Sequence, residues 1–351
     1  MEVIFNLHKF DMSEIYDKTY KLYADRRDLF GIVFEVTSTC NWRCRHCYMP
    51  EYENKGPSIT EIEDVFKQLR ELGVFELTLT GGEIFTRKDM IEIIKLARKY
   101  YFKVILFSNI SLLSEEMISI LSDVGVSEIS CTVFSLDKHI HDYITQREGS
   151  LERTLKNAKL IKRYGIPLTV KTIITNLNYH EWVNVYEYCR DNGYGFMLDH
   201  DIFAKKNGEQ NPVELRLTKS QLMMEISNLD KFRGFKYRKH SENEFVCGGI
   251  QNSLFIDHEL KVFPCNKFLY FLGDLHNESI DSIWKSVEMS RIQNMKWKDL
   301  GECKKCSKSD YCIHCPGTAW LENGSEYGKS TMACEKAEIR EMISRDEKIC
   351  I

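Results

Sequence analysis

A chain of 351 residues can build one large domain or two ordinary ones, and 43% apolar with 28% charged residues is the balance of a globular protein. A formal net charge of -4 excludes the basic excess of a surface that tracks nucleic-acid phosphates. No apolar run is long enough to span a bilayer, and Met1 to Phe10 lack the pattern of a secretory signal, so no membrane partner and a cytoplasmic location are expected.

Residues 1–30 mix aromatic, apolar and charged side chains without a clear period and read as a short layer ahead of the first strand. From Gly31 onward a short β-branched or aromatic run alternates with a helical stretch. The spacing predicts strands over residues 32–36, 75–79, 103–107, 128–133, 168–174 and 195–198. Between them it predicts helices that begin at Thr60 with Glu63 as its capping partner, then over 88–100, 114–124, 151–164 behind a Ser150 cap, and 179–192. Such alternation implies a parallel sheet with right-handed crossovers, either doubly wound or closed toward a barrel. Thr218 and Gln221 offer a further capping box for a helix reaching about residue 229, and the charged, uneven stretch 231–244 is the best linker.

Thirteen cysteines in a cytoplasmic chain read as metal ligands sooner than as disulfides, because thiols there are kept reduced. Cys40, Cys44 and Cys47 follow the first strand in the run Thr-Ser-Thr-Cys-Asn-Trp-Arg-Cys-Arg-His-Cys-Tyr, residues 37–48. Three thiols so close are too many for one disulfide and one short of a closed zinc site, but they suit a 4Fe-4S cluster with one open iron. A zinc knuckle or three unrelated core cysteines is the alternative. Gly81, Gly82 and Glu83 come directly after the second strand, where two glycines let the backbone approach a ligand closely. Ser108 and Asn109 end the third strand, Ser135 and Asp137 follow the fourth, Lys171 lies on the fifth, and Asp199, His200 and Asp201 end the sixth. Asp199 is the expected proton acceptor or substrate contact, unless these residues form a solvated strand end. Cys131, on the fourth strand, would give a hydrogen atom to a substrate radical if it points inward, and is a small core residue otherwise. Cys189, on a helix, and Cys350, at the tail, read as unremarkable.

The spacing Cys-x3-Cys-x2-Cys resembles the signature of the radical S-adenosylmethionine (SAM) superfamily, with His46 where that pattern prefers an aromatic or imidazole side chain. The resemblance implies a partial (β/α)6 TIM-like barrel with its site at the C-terminal ends of the strands. It implies that the open iron chelates SAM and that one electron splits SAM into methionine and a 5'-deoxyadenosyl radical. It also implies SAM contacts from Tyr48, Gly81, Gly82, Glu83, Ser108, Asn109 and Ser135, with Lys171 reaching the SAM carboxylate or ribose or merely lining the barrel. Lys138 stands where relatives usually have glycine.

Farther on, Cys247, Cys265, Cys303, Cys306, Cys312, Cys315 and Cys334 resemble the SPASM extension of such enzymes, a small C-terminal domain with auxiliary 4Fe-4S clusters. Zinc is the alternative metal for its Cys-x2-Cys pairs. Family order would assign Cys303, Cys306, Cys312 and Cys334 to one cluster and Cys247, Cys265 and Cys315 to another. The second set is one ligand short, to be filled by a substrate cysteine, water, a backbone group or His258. Two departures are an x2 spacing between Cys312 and Cys315 and Leu260 in place of a usual glycine. The expected organisation is residues 1–30 before the barrel, 31–235 the barrel, 236–340 the SPASM domain and 341–351 a tail.

The implied activity is modification of a peptide substrate in an anaerobic setting, by thioether or carbon-carbon cross-linking. A sulfatase-maturase-like dehydrogenase or a peptide epimerase are alternatives, and from another class a zinc-stabilised binding module without turnover. Three 4Fe-4S clusters, SAM and an electron donor such as flavodoxin or ferredoxin are expected. So few residues before the first strand leave little room for a leader-binding module, so that recognition is expected to depend on a separate leader-binding protein or on the barrel and SPASM surfaces themselves.

Overall fold

Short buried strands, each followed by an amphipathic helix, can satisfy their backbone groups only by pairing side by side, and the chain does so in sequence order. In the computed structural model, which describes residues 12–349, helix α1 (Met12–Arg26) leads to β1 (Gly31–Glu35), α2 (Ile59–Glu71), β2 (Glu76–Thr80), α3 (Met90–Lys99), β3 (Lys103–Phe107), α4 (Glu115–Val124) and β4 (Glu128–Thr132). There follow α5 (Lys138–Thr145), α6 (Ser150–Arg163), β5 (Leu168–Ile173), α7 (Trp182–Asn192), β6 (Gly195–Asp199) and α8 (Lys219–Arg233). Strands β1 to β6 are parallel neighbours throughout and match the predicted strands to within one residue at either end. Their C-terminal ends therefore share one rim, as a partial barrel requires.

The cysteine-rich region does not stand apart from this sheet. It contributes β7 (Ser253–Ile256), β8 (Lys261–Phe263) and β9 (Gly273–Asp274), giving the order β6-β5-β4-β3-β2-β1-β7-β8-β9, with β7 parallel to β1. Beyond them lie α9 (Ile280–Trp284), α10 (Val287–Gln293), α11 (Pro316–Asn323) and α12 (Thr331–Ile349). The sequence pattern showed no seventh strand, because four residues pairing with a partner more than two hundred positions away leave no local periodicity to read. No helix among the described residues is long and apolar enough to cross a membrane.

Period-two alternation divides each barrel strand between two environments. Ile32, Phe34, Leu77, Leu79, Val104, Leu106, Ile129 and Val170 face the helices in one continuous apolar core. The opposite faces carry Val33, Thr80, Phe107, Ser130, Thr132, Lys171 and Ile173, which line cavities inside the barrel. Cys131 lies on the helix-facing side, 1% exposed in the core. Its thiol is pushed up to about 12 by burial and then by nearby Cys189 of α7. The expectation of Cys131 as an inward hydrogen donor is thus corrected: strand parity points it away from the barrel interior.

Several helix starts differ from the predicted ones. Two overlapping capping boxes were available before α2, and the earlier one forms: Ser58 and Glu61 bond reciprocally, while Thr60 and Glu63 are inside the helix. Ser150 does not cap α6. Asp142 does so from the preceding helix, accepting from the backbone of Gly149 at 2.6 Å and Leu151 at 3.1 Å. Helix α5 had not been predicted; Asp137 caps it by accepting from His139 N–H at 2.7 Å. Helix α8 runs on to Arg233 and ends at Gly234 with φ 67, so the start of the expected linker is helical. Helix α1 packs at the rim opposite the site, with the rings of Tyr16, Tyr20 and Tyr23 against Phe30 at 5.2–5.7 Å. Cys350 lies outside the described residues.

Replacing Cys131 by Ala should cost about 1 kcal/mol of stability through a small cavity and leave product formation intact. Chemical denaturation and turnover of the same preparation check this, and loss of product from a stable variant would restore Cys131 to the chemistry.

Candidate active site

After β1 the chain leaves the sheet in the loop that carries Cys40, Cys44 and Cys47. Three separate supports hold it. The Gly82 and Glu83 amides donate to the carbonyls of Thr37 and Thr39 at 2.9 and 2.8 Å. Ser38 N–H and the Thr37 hydroxyl both donate to the Asn54 carbonyl at 2.9 Å. The amides of Arg43 and Arg45 donate to the carbonyls of Thr145 and Ile144, which are orphan acceptors at the end of α5. The unpredicted helix is therefore a support for the thiol loop.

Gly81 and Gly82 owe their identity to this loop. A Cβ on Gly81 would lie 2.2 Å from the Thr37 carbonyl oxygen, and one on Gly82 would lie 2.3 Å from that of Ser38. The glycines make room for the chain's own backbone and by that means bring two loops to one cavity of about 250 Å3. Its walls include Cys40, Cys44, Cys47, Tyr48, Gly81, Gly82, Ser108, Asn109 and Lys171. Burial raises all three thiols, Cys40 to about 12, so only a neighbouring cation would make them thiolates. His46 Nδ1 is buried without a hydrogen-bond partner, and burial lowers the imidazole to about 4. Three thiols on one wall, facing backbone, hydroxyl and amide groups on the other, fit a cluster with one open iron and a polar ligand beside it.

Glu83 departs from expectation. Its carboxylate does not line the cavity; it is fully buried and accepts from the Ser108 hydroxyl at 2.7 Å, Phe85 N–H at 3.0 Å and Asn109 N–H at 2.6 Å. Burial pushes the carboxyl up to about 7 against those three donors. Glu83 is a positioning residue that ties the β2 and β3 loops together and aims Asn109, whose side-chain amide donates to Asn41 of the thiol loop at 2.8 Å. Next to it Ile110 is held at φ 56, a costly conformation for a β-branched residue. The Asn157 side chain pins it by donating to the carbonyls of Ile110 and Leu113 at 2.7 and 2.9 Å.

Ser135 also departs. It lines neither this cavity nor the next; its hydroxyl donates to Glu181 at 2.8 Å and accepts from Asp137 N–H at 2.8 Å. Ser130, Thr132 and Phe134 take the wall position instead, one strand parity away.

Tyr48 faces the cavity, and its hydroxyl donates to Glu35 at 2.9 Å. Glu35, which the sequence reading overlooked, is fully buried and pairs with Lys206 at 2.7 Å and His258 at 3.2 Å. Burial acts to raise its carboxyl, but the His258 bond, the Lys206 charge and the Tyr48 hydroxyl hold it low. An acid closing an apolar strand was the available signal, since unpaired acids are almost never fully buried. His258 turns its Nδ1 to Glu35, and its Nε2 lies 3.5 Å from Glu51, so its ring is drawn to these two carboxylates, and one of the candidates for the open cluster position is engaged here.

A second cavity of about 290 Å3 shares His46, Cys47, Tyr48, Thr132, Lys171, Ile173 and Asn266 with the first. It adds Met197, Phe203, Leu269 and Leu321, so it is mainly apolar and reaches into the cysteine-rich region. The Lys171 ammonium lies 2.7 Å from the centroid of the Phe107 ring, and burial lowers it to about 7. Asp199 lines this cavity but is not a free base: it accepts from the amides of His200 and Asp201 and pairs with Lys267 at 3.1 Å. His200 is buried, 2.7 Å from the Lys336 ammonium, which also pairs with Asp201. The strand end expected to be solvated or catalytic is instead locked to the C-terminal region by ion pairs.

The seven C-terminal thiols separate into two groups by mutual influence. Cys247 and Cys265 are each raised by burial and then by Cys315, and Gly317 lets α11 approach Lys267 so closely that a Cβ would lie 2.4 Å from its carbonyl oxygen. Cys303 and Cys312 are raised by burial, then by Cys334 and by Cys306. Among the described residues no three His, Cys, Asp or Glu side chains gather at one ion's position; a cubane spreads its ligands over four irons. Leu260 keeps the backbone of the glycine it replaces, at φ 63 in the β7–β8 turn, with its side chain 4% exposed in the core.

Residues 34–189 match the model of the radical SAM superfamily, and residues 247–307 match that of the SPASM iron-sulfur cluster-binding domain. The chain contains a radical SAM domain followed by a SPASM domain. An AdoMet-dependent heme synthase of Methanosarcina barkeri is 23% identical to this radical SAM protein over 325 residues, covering 84% of this chain and 93% of the synthase. The subtilosin biosynthesis protein AlbA of Bacillus subtilis is 28% identical over 305 residues, 80% of this chain and 66% of AlbA. The crystal structure of Streptococcus suis SuiB bound to precursor peptide SuiA superposes with a TM-score of 0.67 at 14% identity, covering 95% of this chain and 83% of SuiB, and shows that the fold is shared.

Changing Glu83 to Gln leaves an NH2 group facing either a backbone amide or the Ser108 hydroxyl. It should cost about 1–3 kcal/mol and weaken SAM binding with iron content unchanged. Denaturation of metal-free protein and SAM titration of loaded protein check this; unaltered SAM affinity would separate Glu83 from the cavity.

Proposed function

We propose that the protein is a cytoplasmic radical SAM enzyme that modifies a peptide, most directly by forming a thioether. The observation that carries this reading is the shared wall: the cavity holding Cys40, Cys44 and Cys47 opens, past Thr132 and Lys171, into an apolar cavity that ends at the cysteine-rich region. When bound, SAM and its cluster supply a 5'-deoxyadenosyl radical that abstracts a hydrogen atom. The chain's own residues bind, orient and exclude water. Cys40, Cys44 and Cys47 ligate the SAM-cleaving cluster, the Gly81–Gly82 backbone and Asn109 face SAM, and Lys171 neutralises its carboxylate. The second cavity receives the residue to be modified. Met197, on the sheet-edge strand β6, lines that cavity and is 53% exposed, so an extended chain can reach the cavity there.

Cys303, Cys306, Cys312 and Cys334 would hold one auxiliary 4Fe-4S cluster and Cys247, Cys265 and Cys315 the other, making three clusters in all. The latter set is one thiol short, and with His258 committed elsewhere a cysteine of the substrate can supply the missing thiolate. With Cys131 facing the helices, the observation that favoured an epimerase is gone. The exposed edge strand favours a peptide over the heme chemistry that the names of the heme-synthase relatives give. Flavodoxin or ferredoxin as donor and a separate leader-binding protein complete the proposal.

The triple change Cys40→Ala, Cys44→Ala, Cys47→Ala should keep the auxiliary iron and abolish 5'-deoxyadenosine formation under dithionite. Continued SAM cleavage by that variant would end the assignment. In the same variant, substrate peptide should alter the auxiliary-cluster absorption only when it carries its cysteines. Identical spectra with and without them would favour the dehydrogenase reading.

A further inference from the structure

The segment of residues 231–240 carries five cations, Lys231, Arg233, Lys236, Arg238 and Lys239, and no acid, in a chain whose net charge is -4. All five are exposed. The segment is fastened to the loop that presents Cys312: Arg238 N–H donates to the Asp310 carbonyl at 3.2 Å, and the rings of Tyr237 and Tyr311 lie 5.1 Å apart. Between the two lies a cavity of about 610 Å3, larger than either cavity at the barrel mouth. Its acids are mostly spent, Asp230 on Arg340 and Glu244 on Arg238, leaving Asp310. Lys236 and Lys239 make no ion pair among the described residues, and neither do Lys304 and Lys305, which lie between Cys303 and Cys306.

This basic cavity reaches the second thiol group at Cys312, which lines its wall. Cys306 is exposed, whereas the other six C-terminal thiols are partly covered. His240, in the wall of the large cavity, stacks on Trp297 with centroids 3.7 Å apart and planes within 10°, and its Nε2 lies 3.3 Å from the Cys312 carbonyl oxygen. The apolar cluster of Met295, Trp297 and Leu300 packs in turn against Cys303 and Cys312. A stacked aromatic pair bonded to a ligand residue gives a short covered path from the cavity wall to these thiols.

We propose that this face docks an acidic one-electron carrier protein, which delivers its electron to the cluster held by Cys303, Cys306, Cys312 and Cys334. The proposal rests on the reading of those thiols as cluster ligands. The carrier is oxidised by one electron and the cluster reduced by one, with no bond made or broken and no proton required. Charge complementarity selects the partner: Lys236, Lys239, Lys304 and Lys305 are free to steer an acidic surface to the exposed edge of the cluster.

The test uses the iron-loaded full chain and purified flavodoxin as the probe, with the variant Lys236→Glu, Lys239→Glu, Lys304→Glu, Lys305→Glu. At low salt the variant should bind flavodoxin roughly tenfold or more weakly, and the steep loss of affinity that added salt causes in the parent should flatten. Flavodoxin-driven 5'-deoxyadenosine formation should fall with it, while the dithionite-driven reaction stays the same. Equal flavodoxin affinity and rate in the variant would overturn the proposal, as would loss of substrate-peptide binding with flavodoxin binding intact, which would make this a leader-peptide surface. Absence of iron-sulfur absorption from the Cys40, Cys44, Cys47 triple variant would remove the cluster reading and the docking proposal together, and so tells the two failures apart.

Discussion

The structure depends on a carboxylate that has no contact with water. Glu35 ends β1 with 0% exposure and binds Tyr48 of the thiol loop, Lys206 of the loop after β6, and His258 of the β7–β8 turn. Burying a lone carboxylate would cost several kcal/mol, so the three partners are not optional: each segment must be in place for the charge to be tolerated. The thiol loop, the open side of the barrel and the cysteine-rich region are thereby made mutually dependent. Lys206 N–H also donates to the Tyr48 carbonyl at 2.9 Å, which repeats the tie through the backbone.

The same logic of shared polar partners recurs at the other contacts between barrel and C-terminal region. Asp199 and Asp201 meet Lys267 and Lys336, and the buried Arg340 of α12 makes a two-pronged pair with Asp230 of α8 at 2.7 and 2.8 Å. The Lys267 and Lys336 pairs join a barrel element to a segment next to a cysteine, because Lys267 follows Cys265 and Lys336 follows Cys334 by two residues. The ion pairs therefore position the thiol groups against the barrel while the apolar core holds the strands. Loss of one partner would leave a buried charge, so these contacts favour a single arrangement of the two regions.

The barrel interior is built differently from its exterior. Facing the helices, the strands are almost wholly apolar, whereas facing inward they present Thr80, Ser130, Thr132, Lys171 and Glu35, which cannot close into a dry core. What remains is space, and the thiol loop, the paired glycines and the Asn109 loop surround it. Strain at Ile110 and Leu260, both outside the ordinary backbone range, sits at turns that present cavity or cysteine segments, where surrounding packing holds it.

Local pattern determined much of this protein. The strands follow from short β-branched runs, the thiol loop from its spacing, and the family from both, because each is written in consecutive residues. A division of the C-terminal thiols into two groups was an expectation only through the order implied by the resemblance. What tertiary structure decided is orientation and partnership over long distances. Strand parity turned Cys131 outward, and the approach of Thr37–Thr39 explained Gly81 and Gly82 as room for backbone. Three donors took Glu83 away from the cavity, and Glu181 took Ser135. β7 pairing with β1 and the Glu35–His258 contact join residues more than two hundred positions apart, and no local periodicity encodes such a pairing; it exists only when buried polar groups must find partners in the folded chain.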